Sequence, residues 1–275
     1  MARQAGFWDY EEHLARLTKG GDLLVTLSEV VDFEPVRYRL EKALKRSDGA
    51  KGGRPPYDSI MMFKVLVLQA LYNLSDDQAE FQIRDRLSFL RFLGLTPNVP
   101  SPDAKTIWLF RKHLVQARAI EKLFALFDTR LKASGYLAQG GQIIDRKWAV
   151  THAARHNSGA FEDVLDTGNT AQSVWADTAC RSAKNEAAIR RARLKSMIHF
   201  RKPKGKPMDR RHQRANAARS KVRSAVEHVF ATQKSRMALF VRTIGIERAR
   251  MKIGMANLAY NFKRLVWHER RTAPA

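Results

Sequence analysis

The chain has a single cysteine, Cys180, in 275 residues. One cysteine excludes an internal disulfide and any cysteine-based zinc site, and it suits a reducing compartment. No apolar run reaches transmembrane length, and residues 1–12 carry no signal-peptide core, so the expected location is the cytoplasm. Internal repeats and low-complexity tracts are also missing. Negative charge is scarcest near the C-terminal end, where Glu227 is the only acid between Asp209 and Glu247.

Positive charge, by contrast, is abundant. Fifty Lys and Arg against 27 Asp and Glu give a net charge of +23 and an isoelectric point near 10.6. That excess points to a polyanion, with nucleic acid the first candidate. A membrane surface is the weaker alternative, because the basic residues lie mostly in loops and in a helix without a Trp- or Phe-rich opposite face. With 44% apolar residues the chain can bury a real core, in one large or two small domains.

The first part reads as helical. Pro35 suits a first turn, and Val36, Leu40, Ala43 and Leu44 recur at helical spacing. Residues 47–57 (SDGAKGGRPPY) form a loop. Asp58 then caps a run, 59–72, that is apolar nearly all round and is expected at the centre of a helical bundle. Ser75 and Gln78 make a capping box, the helix after them carries Phe81, Leu87, Leu90 and Phe92 toward the core, and Gly94 ends it. Ser101 and Pro102 are expected to start a helix through His113, and residues 117–134 form its partner. This pair could be a helix-turn-helix presenting Lys105, Arg111, Lys112 and His113 to phosphates, or simply a solvated basic face.

From Gly140 the character changes. Residues 142–144, 148–151, 173–176 and 197–200 are β-prone, with helices expected at 158–165 and 182–194. Asp145 and Asp177 each close an apolar strand, where open sheets present polar groups, although a strand-end Asp is usually a turn former. Residues 215–234 contain no Gly or Pro and favour helix. On it Ser220, Arg223, Glu227 and Lys234 fall along one face. Glu227 is then either an i, i+4 surface partner of Arg223, contributing about a few tenths of a kcal/mol, or a metal ligand among phosphate-gripping cations. Two strand-end aspartates and a helical glutamate are a hard-oxygen set suited to two magnesium ions and phosphodiester chemistry.

Motif by motif, nearly the whole length resembles the DDE transposases of bacterial insertion sequences, in the group joining the fours and the fives. Residues 57–95 are similar to the InsH-like N-terminal helical domain. GGQIID (140–145) resembles the first-aspartate motif, VWADTACRS (174–182) the second, and RSKVRSAVEHVF (219–230) with Lys234 the glutamate motif; residues 241–266 complete the pattern. The resemblance implies a mainly helical α+β chain: an N-terminal DNA-binding domain over 1–134, then an RNase H-like catalytic domain over 135–275 with a basic helical C-terminus. It implies Asp145, Asp177 and Glu227 as catalytic ligands of Mg²⁺ or Mn²⁺, and Arg223, Lys234, Arg219 and Lys221 as DNA contacts. The implied partners are double-stranded DNA, both terminal inverted repeats and target, and no membrane, with self-association as a homodimer left open. The implied setting is the bacterial nucleoid.

Four positions depart from the family pattern. Ser220 stands where a Tyr is frequent, Cys180 replaces an aromatic, and His152 and Asn157 replace acids. Above all, Asp145 runs directly into Arg146-Lys147-Trp148-Ala149-Val150-Thr151, which looks like the third strand of the core. A hairpin between them needs about two turn residues, so a strand is missing and the chain reads as an internally deleted copy. The expectation is DNA binding with little or no cleavage. The alternative is a non-catalytic remnant or another basic nucleic-acid-binding protein.

Overall fold

The computed structural model describes residues 7–44, 55–133, 142–143, 161–165, 172–241 and 243–272. Helices α1 (Phe7–Lys19), α2 (Leu23–Val30) and α3 (Arg37–Leu44) lead in, with Pro35 in the 3₁₀ turn before α3. Helix α4 (Ser59–Tyr72) starts where Asp58 accepts the Ile60 and Met61 N–H groups, each at 2.9 Å. Its all-round apolarity has the expected cause, since Ile60 through Phe63 and Val65 through Leu68 are all buried.

The capping box forms reciprocally between Ser75 and Gln78 at the head of α5 (Asp76–Asp85). The single helix expected beyond it is two, because Arg86 is extended and α6 (Leu87–Leu93) begins anew before Gly94 closes it at φ +72°. Phe81, within α5, is 67% exposed instead of packed in the core. Helix α7 (Ala104–Gln116) is capped by Asp103, which accepts the Thr106 N–H at 2.7 Å. Ser101 does not cap it: its hydroxyl accepts from Arg84 and its carbonyl from the Tyr57 hydroxyl. The Arg111 guanidinium clasps Asp76, which also accepts from Gln69 at 2.8 Å. Helix α8 (Ala119–Ala133) comes next.

The β-prone stretch yields a small parallel sheet. Strands β1 (Gln142–Ile143), β2 (Ser173–Trp175) and β3 (Lys195–Ser196) lie in that order, with α9 (Phe161–Val164) and α10 (Ala183–Arg191) between them in sequence. Strand β3 falls two residues earlier than the 197–200 expected, yet Met197 and His199 still donate to Val174 and Ala176 alongside. The core beneath is Phe161, Val164, Val174, Ala176, Ile189 and Ile198. Residues 148–151, expected as a strand, lie outside the described residues. Helix α11 (Arg210–Ser235) begins five residues before the expected 215, because Asp209 accepts the Arg211 N–H.

Two compact units result: residues 1–129 with 237–275, and residues 130–236. Helix α12 (Ile246–Thr272) lies in the first of these units, together with the N-terminal helices. It packs on α4 and α2 through Met251, Met255, Leu258, Ala259, Phe262 and Val266, a stripe with helical period. Phe262 enters an aromatic cluster, 5.7 Å from Phe33 and 4.8 Å from Phe127 between ring centroids, edge to face; Phe33 also meets Phe63 and Phe92. Overall the described chain is mainly helical α+β. Replacing Phe262 by Ala should cost the first unit about 3–5 kcal/mol, seen as a lower urea midpoint in its helical circular dichroism. An unchanged midpoint would show that α12 is not part of this core.

Candidate active site

Strand β2 is the middle strand of three, with Val174 and the adjoining Ala176 fully buried, and at its carboxyl end it delivers Asp177. The Asp177 side chain is 55% exposed. Its Oδ1 accepts the Thr178 N–H and, at 2.9 Å, the Thr178 hydroxyl, while Arg223 of α11 stands 3.9 Å away. Partial burial works against the charge, but the Thr178 donors, Arg223 and His199 outweigh it and hold the carboxyl below its ordinary range. Both Thr178 donors and the Arg223 guanidinium approach Oδ1. An ionised, half-exposed carboxylate at a strand end is a fitting hard-oxygen donor.

Helix α11 brings the basic field to this edge. It packs against β2, and Asn216 ties it down: its amide accepts the Phe200 N–H at 2.8 Å and donates to the Phe200 carbonyl at 3.1 Å. His199, buried, sits between strand and helix, its Nδ1 3.3 Å from the Ala176 carbonyl and its Nε2 3.0 Å from the Ser220 hydroxyl. The Nε2 also lies 3.2 Å from the Asn216 carbonyl, so each ring nitrogen faces a backbone carbonyl. Ser220, at the position where the family pattern has Tyr, therefore has a structural partner of its own. Neither His199 nor Asn216 was singled out from sequence, and the only available signal was a pair of polar residues flanking the basic loop at 201–206.

The expected site residues divide three ways. Asp177 and Arg223 meet. Glu227 lies one turn beyond Arg223 on α11, but its side chain is outside the described residues, and Asp145, two positions past β1 in sequence, is outside them entirely, as are His152 and Asn157. Among the described residues no group of three His, Cys, Asp or Glu side chains comes together. Of the expected DNA contacts, Lys221 and Lys234 are exposed. The other two are spoken for. Arg223 is only 18% exposed beside Asp177. Arg219 donates to the Ile198 carbonyl at 2.7 Å and lies 4.2 Å over the Phe200 ring, with Arg181 at 4.5 Å over the same ring. Burial, and then Arg181, push the Arg219 pKa below its ordinary value. Cys180, in the place of the expected aromatic, packs half-buried against the sheet core.

Two families match the chain in tandem: the "Transposase domain (DUF772)" over residues 11–113 and the "Transposase DDE domain" over residues 127–262. The chain belongs to the DDE transposases of insertion sequences. No solved structure matches it. No helix among the described residues is long and apolar enough to cross a membrane.

The Asp177 carboxyl should titrate below 3.8, the ordinary value. A depressed native pKa means that its contribution to stability is complete above the unfolded value and is lost as pH falls through the native one. Arg223→Ala and Thr178→Val should each move the titration upward in a ¹³C NMR experiment. No movement in either variant would contradict the local electrostatics described.

Proposed function

We propose that the second unit is an RNase H-like core, that Asp145, Asp177 and Glu227 are its metal-binding carboxylates, and that this copy binds transposon-end DNA but cleaves it poorly or not at all. The observation that carries the reading is Asp177: an ionised carboxylate at the carboxyl end of a central parallel strand, facing a basic helix that bears Glu227 one turn from Arg223. Parallel pairing of β1 with β2 supports placing a second aspartate at the same edge. A pair of Mg²⁺ or Mn²⁺ ions held there would activate an attacking oxygen and stabilise the leaving oxygen at phosphorus.

The chain's own residues have distinct parts in this reading. Thr178 and Arg223 keep Asp177 ionised, His199 and Asn216 fix α11 to the sheet, and Lys221 and Lys234 meet the DNA backbone. The net charge of +23 supports a strong sequence-independent attraction to duplex DNA. Loss of cleavage rests on the junction at Asp145. Two-metal chemistry needs ligands placed to within roughly half an ångström, and a deleted neighbouring strand removes the hydrogen bonds that fix Asp145.

With a duplex carrying the DNA that flanks the gene, the purified chain should be retained with a steep salt dependence and leave the strands intact in Mg²⁺ or Mn²⁺. Nicking at the element's end that disappears in Asp177→Ala would overturn the loss of activity. Lys221→Ala and Lys234→Ala should each reduce the slope of log affinity against log salt by about one. Unchanged slopes in both would remove α11 from the DNA interface.

A further inference from the structure

The outer face of α12 carries Arg264, Trp267, His268 and Arg271, spaced by three, four and seven residues and so on one side of the helix. Arg264, Trp267 and Arg271 are all exposed, Trp267 at 44%. Both guanidinium groups lie over one indole, at 4.8 Å and 4.6 Å from its centroid, and the His268 ring stands edge-on to it at 4.9 Å. Covering an exposed indole needs one guanidinium. Two bring like charges closer together than the roughly 10 Å Debye length at 0.1 M salt, an arrangement that costs energy in the free protein and is relieved when a polyanion is bound.

We infer that this face is a second DNA-backbone contact surface, on the first unit and separate in sequence from the α11 cations. Stacking on Trp267 holds the two guanidinium groups in place before DNA arrives, so less side-chain freedom is lost on forming charge-assisted bonds to phosphates. The occupant is duplex DNA and not a lipid surface, because a membrane-binding helix lays its apolar face into the bilayer. The apolar face of α12 is already consumed by the protein core through Leu258, Ala259, Phe262 and Val266. The neighbouring Arg270 is turned to another task, donating to the Thr26 hydroxyl at 2.7 Å, and anchors the helix end to α2.

This inference rests on the DNA-binding part of the proposed function, and one titration separates the two. The full-length chain is titrated with a fluorescein-labelled duplex of mixed sequence across a salt series, alongside Arg264→Ala/Arg271→Ala, Arg264→Lys/Arg271→Lys and Trp267→Phe. The double alanine variant should bind about tenfold or more weakly near physiological salt, with a log–log salt slope smaller by about two. The lysine variant should keep the slope and lose only part of the affinity. Helical circular dichroism confirms folding, and quenching of tryptophan emission by unlabelled DNA should shrink in Trp267→Phe. A folded double alanine variant with the parental slope overturns this surface while leaving DNA binding standing. No retention of DNA by the unaltered chain overturns the functional reading itself, and retention by anionic phosphatidylserine vesicles in its place would assign the face to lipid.

Discussion

The packing of Phe262 against Phe33 and Phe127 decides how this chain is organised. It draws the C-terminal helix back to helices that begin the sequence, so the first unit is built from both ends of the chain and residues 130–236 are inserted between them. Edge-to-face rings at these separations contribute about 0.5–1.5 kcal/mol per pair beyond their buried area. A fragment of the N-terminal helices alone would leave that cluster open, with Phe33 and Phe127 stripped of a partner. The same packing fixes the orientation of α12, and its outward row of arginines exists because its inward row is used up.

In the second unit the corresponding constraint is directional. All three described strands run parallel, so the segments leaving their carboxyl ends emerge at one edge of the sheet. Asp177 is there because the chain is apolar through Ala176 and the strand then stops. His199 and Asn216 convert that edge into a junction with α11, since a buried imidazole and a side-chain amide that pairs with a backbone peptide leave little freedom for the helix to rotate. The spacing from Asn216 to Arg223 and Glu227 is then set by helix geometry alone.

Local signals in the sequence were readable. Asp58 as a cap, the Ser75–Gln78 box and Gly94 as a left-handed terminus each depend on residues a turn away, and each is present as expected. What was hidden is tertiary. The stripe on α12 was visible as helical packing, but nothing in it names α4 as its partner. Phe81 and Phe92 look alike in the sequence, yet the first ring is exposed and the second buried. At the site, the order of Asp145, Asp177 and Glu227 pointed to the family, and Asp177 with Arg223 is the part that geometry supports. The burial of Arg223 and the capture of Arg219 by Ile198 and Phe200 are consequences of folding that a count of positive charges cannot register. Arg219 and Arg223 are thereby part-buried, whereas Lys221 and Lys234 are exposed.

In the proposed reading Asp177 and Glu227, with Asp145, are the metal-binding carboxylates of the second unit. The most direct measurement is Mn²⁺ binding by electron paramagnetic resonance on the purified full-length chain, compared with Asp177→Asn and Glu227→Gln. The expected result is Mn²⁺ binding that both substitutions abolish, while retention of duplex DNA persists. Mn²⁺ binding unchanged in both variants would contradict it.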